Sequence, residues 1–126
     1  MSVQEGRSSS SVEVFAVEKP GQGGPGSIHH VAWRVPDDLT QLEWQKHLGE
    51  SGVGVTQVRD RDYFHSIYFR EPGGALFEIA TDGPGFAIDE PLESLGSDLR
   101  IPKIHEASSA QIEAVLPKLK LPEHNA

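Results

Sequence analysis

The chain has 126 residues, with 19 Asp and Glu against 11 Lys and Arg and a formal net charge of −8. That length suits one domain with a modest core, and the acidic balance argues against nucleic acid or an anionic membrane surface, both of which reward clustered Lys and Arg. No apolar run is long enough for a membrane span, the opening MSVQEGRSSSSVEVF lacks the layout of a secretory signal, and the absence of cysteine removes disulfides, thiolate zinc sites and cysteine nucleophiles together. The expectation is a soluble, cytoplasmic protein whose metal ligands, if it has any, are His, Asp or Glu.

With 13 Gly and 9 Pro, the chain is divided by patches of turn-forming residues. Residues 1–10 are polar and Ser-rich and read as a disordered tail. Val12 to Val17 (VEVFAV) is β-branched and partly alternating, which predicts a strand. Pro20 to Gly26 is a loop. Ile28 to Val35 (IHHVAWRV) is expected as the next strand. Asp38 is placed to cap a helix, with Gln41 at capping-box spacing. Leu39, Leu42 and Leu48 fall along one helical face, and Gly49 and Gly52 mark the end. Three strands follow, over Val53 to Arg59, Phe64 to Arg70 and Ala75 to Ala80, the last two joined at Glu71-Pro72-Gly73-Gly74. The expected fold is α+β, a βαβββ module with an extra N-terminal strand and a C-terminal helical tail. The tail helix is read over Ser108 to Leu116, with Ser108 and Gln111 at capping-box spacing and Pro117 as its stop. It is expected to dock on the sheet or on a neighbouring chain. The divisions are 1–10 as tail, 11–82 as module and 83–126 as extension.

The turn after Arg70 constrains the register. A two-residue loop would set Tyr68 against Phe77. A three-residue loop, Pro72-Gly73-Gly74, sets Phe69 against Phe77, Ile67 against Ile79, and Tyr68 against Glu78. Only the second sorts apolar from polar side chains across the sheet. Glu78 then sits beside Tyr68 on the polar face, with the apolar set under the helix.

A carboxylate inside the apolar strand ALFEIA must be paired, exposed on the open face or bound to a cation. The pair His29-His30 lies on another strand of the same sheet. A His and a Glu from one sheet supply two ligands of a facial 2-His-1-carboxylate site. On spacing alone the metal signal is weak, and a His pair beside a Gly-rich loop is more often solvated or hydrogen-bonded surface. Strand alternation sends His29 and His30 to opposite faces unless the strand is bulged, which gives His30 the better claim as ligand. The segment GQGGPG satisfies G-x-G-x-x-G, but a strand follows it rather than a helix, so it is a loop. His47 is expected on the helix exterior, His65 in packing, and His105 and His124 in the tail.

The segments GSIHHVAWRV, DRDYFHSIYFREPGGALFEIATDGPGF and DEPLESLG, together with IEAVLP in the tail, resemble the C-terminal part of ring-cleaving extradiol dioxygenases. These belong to the glyoxalase/bleomycin-resistance/dioxygenase (vicinal oxygen chelate) superfamily, and the resemblance is to the hydroquinone-type branch. It implies iron(II) as cofactor, with Mn, Ni or Zn as alternatives, and a small aromatic diol and O2 as substrates. The residues it carries over are His30 and Glu78 as metal ligands, His29 as a pocket acid or base, Tyr68 as a contact to substrate or oxygen, and Arg61 as a pocket arginine. His29 also reads as a structural histidine, Tyr68 as plain sheet surface and Arg61 as a solvated loop charge. Relatives of this kind are longer and take their remaining His from an N-terminal half. A homodimer or a missing N-terminal half is therefore the implied partner. The alternatives are another metal-dependent glyoxalase-like enzyme, an isomerase or thiol transferase, or a metal-free small-molecule binder of the bleomycin-resistance type.

Overall fold

The computed structural model describes residues 22–118 together with residues 12, 13 and 15. Val12, Glu13 and Phe15 carry no strand. The remainder of the strand expected over Val12 to Val17, the 1–10 tail and His124 lie outside the described residues. The elements are β1 (Val31–Val35), α1 (Asp38–Glu50), β2 (Arg59–Asp60), β3 (Phe64–Arg70), β4 (Leu76–Pro84), three 3-10 turns and α2 (Ser109–Val115). One four-stranded sheet has the order β1-β4-β3-β2. β1 runs parallel to β4, and the other pairs are antiparallel. This is the expected α+β class and βαβββ order. No helix among the described residues is long and apolar enough to cross a membrane.

The β3–β4 register is the one the apolar pattern selects, with Phe69 against Phe77, Ile67 against Ile79 and Tyr68 against Glu78. The turn closes through Glu71 N–H to Ala75 O at 3.1 Å and Gly74 N–H to Glu71 O at 2.8 Å. Gly74 has φ +93°, a conformation that favours glycine. The Glu71 carboxylate accepts from the N–H groups of Gly73 and Ala75, each at 2.7 Å. Those two donors hold its carboxyl below the usual range. One face of the sheet buries Val35, Ile67 and Ile79, with Leu48, Val55 and Phe69 packed against them. The opposite face carries Glu78.

Several boundaries and contacts differ from expectation. β1 starts at Val31 rather than Ile28, so the histidine pair precedes the strand. Asp37, not Asp38, caps α1: its backbone is extended and its carboxylate accepts from Thr40 N–H at 2.8 Å. Asp38 instead meets His65, with Oδ1 and Nδ1 2.7 Å apart. His65 is therefore hydrogen-bonded to Asp38 rather than simply packed. Gln41 has no capping role. It is fully buried, and its side-chain NH2 donates to His65 O and Ile79 O, each at 2.8 Å. Leu39 and Leu42 are 75 % and 46 % exposed. The helix rests on the sheet through Gln41, Gln45 and Leu48 instead, because the two amides reach backbone carbonyls that an apolar side chain would leave unpaired.

The expected second strand contracts to Arg59–Asp60, preceded by an isolated bridge between Val55 and Phe69. β4 runs four residues beyond Ala80 because an irregularity is absorbed there: Ser66 pairs with Ala80 and Phe64 with Pro84. At that irregularity the Thr81 hydroxyl accepts from His65 N–H at 2.9 Å and donates to Gly83 O at 2.9 Å. In the tail, Ser108 makes no side-chain cap bond, since a 3-10 turn over Lys103–Ser108 already leads into α2. α2 packs on that turn rather than on the sheet.

Candidate active site

Three strands aim side chains at one spot on the open face. Glu78 is in the middle of β4, with Tyr68 opposite on β3 and Ala32 level with it on β1. Side chains two residues apart in a strand share a face, so Ser66 joins Tyr68, and His30, just ahead of β1, reaches the same face from outside the strand. The contacts follow from that placement. His30 Nε2 is 2.8 Å from Glu78 Oε2. The Tyr68 hydroxyl donates to Glu78 Oε1 at 2.8 Å, and the Ser66 hydroxyl donates to the same oxygen. Arg61 Nε donates to the Tyr68 oxygen at 3.1 Å, with its guanidinium carbon 5.3 Å from the ring centroid. His29 and His30 stand edge to face with their Nδ1 atoms 2.7 Å apart.

All five residues singled out from the sequence, His29, His30, Arg61, Tyr68 and Glu78, thus lie in one connected cluster. The opposite-face difficulty for the histidines disappears because both precede the regular strand, where alternation does not bind. Glu78 is 3 % exposed, and its partners account for a carboxylate in an apolar strand. Sequence reading missed Ser66. The available signal was parity, since it shares a face with Tyr68.

Proton counting restricts the histidine pair. Two imidazole nitrogens 2.7 Å apart require a proton on one of them. If His29 donates, His30 carries its other proton on Nε2 and donates to Glu78. If His30 donates from Nδ1, its Nε2 either carries a second proton toward the Glu78 carboxylate or presents a lone pair there, and the lone-pair arrangement is the one a cation would satisfy. The donor set of imidazole nitrogen and carboxylate oxygen fits a divalent transition metal. It is one histidine short of a facial triad, and among the described residues no group of three or more His, Asp or Glu side chains could hold a metal ion by itself.

The loop carrying Arg61 is tied to the C-terminal extension. Asp62 has φ +64°, its N–H donates to Asp60 Oδ1 at 2.8 Å, and its own carboxylate accepts from Lys103 N–H at 3.3 Å. The Tyr63 hydroxyl donates to Asp89 at 3.0 Å, and its ring lies 5.1 Å from that of Phe86. Partial burial, then the Asp89 carboxylate, raises the Tyr63 hydroxyl above its usual range and keeps it a donor. Glu90, largely buried, pairs with Arg100 at 3.3 Å. Beside the histidines a cavity of about 760 Å³ is lined by Ser27, His29, His30, Arg70 and Gly74, within the size range of small-molecule sites. His47 meets Trp44 edge to face on the helix exterior, and His105 lies in the 3-10 turn before α2.

Comparison with known proteins agrees with this fold. The sequence profile of the Glyoxalase/Bleomycin resistance protein/Dioxygenase superfamily matches residues 1–79. Two proteins of Bacillus subtilis (strain 168) named "Putative ring-cleaving dioxygenase", MhqO and MhqE, are 56 % identical over 93 residues and 46 % identical over 102. These alignments cover 74 % and 81 % of this chain but 30 % and 33 % of the relatives. The chlorohydroquinone/hydroquinone 1,2-dioxygenase of Sphingobium indicum is 40 % identical over 89 residues, 67 % of this chain and 27 % of that protein. A crystal structure of a dioxygenase from Bacillus subtilis subsp. subtilis str. 168, named with the same qualifier as MhqO, superposes with a TM-score of 0.74 at 52 % identity. It matches 78 % of this chain and 32 % of its own. The chain spans about a third of the length of the curated relatives it matches. On these grounds the chain belongs to the glyoxalase/bleomycin resistance protein/dioxygenase superfamily.

Proposed function

We propose that this chain supplies half of the centre of an Fe(II)-dependent dioxygenase that cleaves a catechol- or hydroquinone-type ring next to a hydroxylated carbon. The carrying observation is the convergence of His30 Nε2 on Glu78 Oε2 at 2.8 Å, with Tyr68 and Arg61 in the same network. The module over 11–82 bears these residues, and the extension over 83–126 steadies the loop that presents Arg61. The names of the relatives support the reaction class, and the hydroquinone dioxygenase among them supports an aromatic diol and O2 as substrates.

His30 and Glu78 would hold iron(II) as two of its ligands, and the metal would supply a common binding point for ring and oxygen; Mn, Ni or Zn would suit the same donors. The protein's own groups do the rest. With His30 Nε2 engaged by the metal, the His30 Nδ1–H donates to His29, which orients the ligand ring. His29 then carries its one proton on Nε2 and offers it as a hydrogen-bond donor to a substrate oxygen. Tyr68, its oxygen accepting from Arg61, is a polarised donor for negative charge developing on a substrate oxygen.

The missing histidine comes from a partner, either a second copy of this chain or an N-terminal module. Two features support this: the donor set is incomplete among the described residues, and β1 is an edge strand of the sheet. Metal content measured together with native mass on anaerobically prepared protein tests the proposal. The expected result is near-stoichiometric iron in a two-chain assembly, or iron uptake once an N-terminal module is added, followed by ring cleavage of a hydroquinone or catechol. Protein that takes up no metal in either setting, yet sequesters small aromatic ligands, would overturn it in favour of a binding protein.

A further inference from the structure

Glu78 offers four lone-pair directions on two oxygens, and they are unequally used. Oε1 accepts from both the Ser66 and Tyr68 hydroxyls, while Oε2 faces only His30. Ser66 is fully buried, so no bulk water competes for its proton, and Glu78 is the side chain to which it donates. Tyr68 differs. It is only half-buried, and its oxygen is already engaged by Arg61, so a substrate can draw its hydroxyl away.

From this asymmetry we infer that Ser66 is a positioning residue that pins Glu78 Oε1, so that Glu78 presents Oε2 alone beside His30 Nε2 and meets a metal through a single oxygen. The inference rests on the metal reading of the site for its purpose, but the orienting itself is a property of the metal-free protein. Buried in the sheet, Ser66 keeps hold of Glu78 when Tyr68 turns to the substrate. Without it the carboxylate is free to rotate about its last torsion, a broad and soft one, and to swing its second oxygen toward the same space.

The test compares the full chain with its Ser66→Ala variant in two ways. In crystal structures of the metal-free proteins, Ser66→Ala is expected to lose the His30 Nε2–Glu78 Oε2 contact, while the unaltered protein keeps it. A Glu78 carboxylate that stays in place would overturn the inference. In Co(II) titrations followed by visible absorption, Ser66→Ala is expected to bind on the order of 10-fold more weakly, as for loss of a group that orients a ligand, with an altered ligand-field spectrum. Identical affinity and spectrum would likewise overturn it. If the unaltered protein takes no Co(II), either as a two-chain assembly or with an N-terminal module added, while Ser66→Ala still releases Glu78, the metal reading fails and the positioning stands. Should Ser66→Ala not fold, Tyr68→Phe decides: Ser66 alone is expected to keep Glu78 oriented, and a carboxylate released by Tyr68→Phe would show that Ser66 does not hold it.

Discussion

Asp37 shows how one side chain starts an element. Its carboxylate accepts from the Thr40 N–H at the open end of α1, and that backbone hydrogen bond is the main reason its carboxyl is held below the usual range. A lowered folded value means that the contribution is present above the unfolded value, about 3.9, and is lost as pH falls through the folded one. Asp37→Asn keeps a capping oxygen that does not titrate in that window. Thermal melts of the two proteins should agree near pH 7, with the variant losing less stability than the parent below about pH 4. At the other functional end of the residue scale, Glu78→Gln replaces the anionic ligand oxygen with a neutral amide of the same shape. Metal affinity is expected to fall on the order of 100-fold or more, with the circular dichroism spectrum unchanged. Unaltered metal content in that variant would remove Glu78 from the centre. Much at this scale was legible in the sequence. Glu78 stood out because a charge in an apolar strand demands partners. Ser66 did not, because a serine in a strand carries no such demand until its neighbours are known. The same holds for Gln41, whose burial depends on two carbonyls contributed by other strands.

At the scale of elements, α1 ends in a motif that needs one particular residue. Gly52 N–H bonds Gly49 O at 3.0 Å and Val53 N–H bonds Leu48 O at 2.9 Å, with Gly52 at φ +78°. Nothing lies within 4 Å of where a Cβ would be, so Gly52→Ala meets no clash and its cost is the strain of an L side chain held at positive φ. The expected cost is about 1 kcal/mol, read as a lower urea midpoint with an unchanged slope. A loss of several kcal/mol would mean that the turn carries more than its conformation. The Gly residues and the turn after Arg70 were readable because φ preference and strand alternation are local rules. Helix orientation was not. Leu39 and Leu42 suggested an apolar face, yet the sheet is met by Gln41, Gln45 and Leu48. The backbone carbonyls that Gln41 and Gln45 satisfy belong to segments distant in sequence, which no helical periodicity reveals.

For the whole molecule, the buried apolar set among the described residues is small: Val35, Ile67 and Ile79, with Leu48, Val55 and Phe69 at its border. Ile67 is fully buried at its centre. Ile67→Ala is expected to cost about 2–5 kcal/mol, a large share of a typical domain's stability, and to broaden or abolish the cooperative thermal transition. A sharp melt shifted by only a few degrees would show that stability comes mainly from elsewhere, as from an assembly. That outcome ties into the native-mass measurement, because a partner on the β1 edge would add buried surface where Trp33 and Phe77 are now only partly covered.

What the sequence determined by itself is what short-range rules govern. Apolar alternation set the β3–β4 register, turn residues set the hairpin, and the burial problem of a carboxylate in ALFEIA singled out Glu78. Residue patterning also raised the His29-His30 pair and set Tyr68 beside Glu78, and the family resemblance added Arg61 and a role for each, without saying whether the whole set meets. Only the tertiary structure decided that they do, because β1, β3 and β4 are brought side by side by pairings between residues as much as 46 positions apart. It also decided that both histidines escape strand alternation, that Ser66 belongs to the cluster, and that the extension braces the Arg61 loop. Each of these depends on which backbone and side-chain groups come within about 3 Å of each other, the reach of a hydrogen bond, and that proximity is a property of the folded chain rather than of any stretch of it.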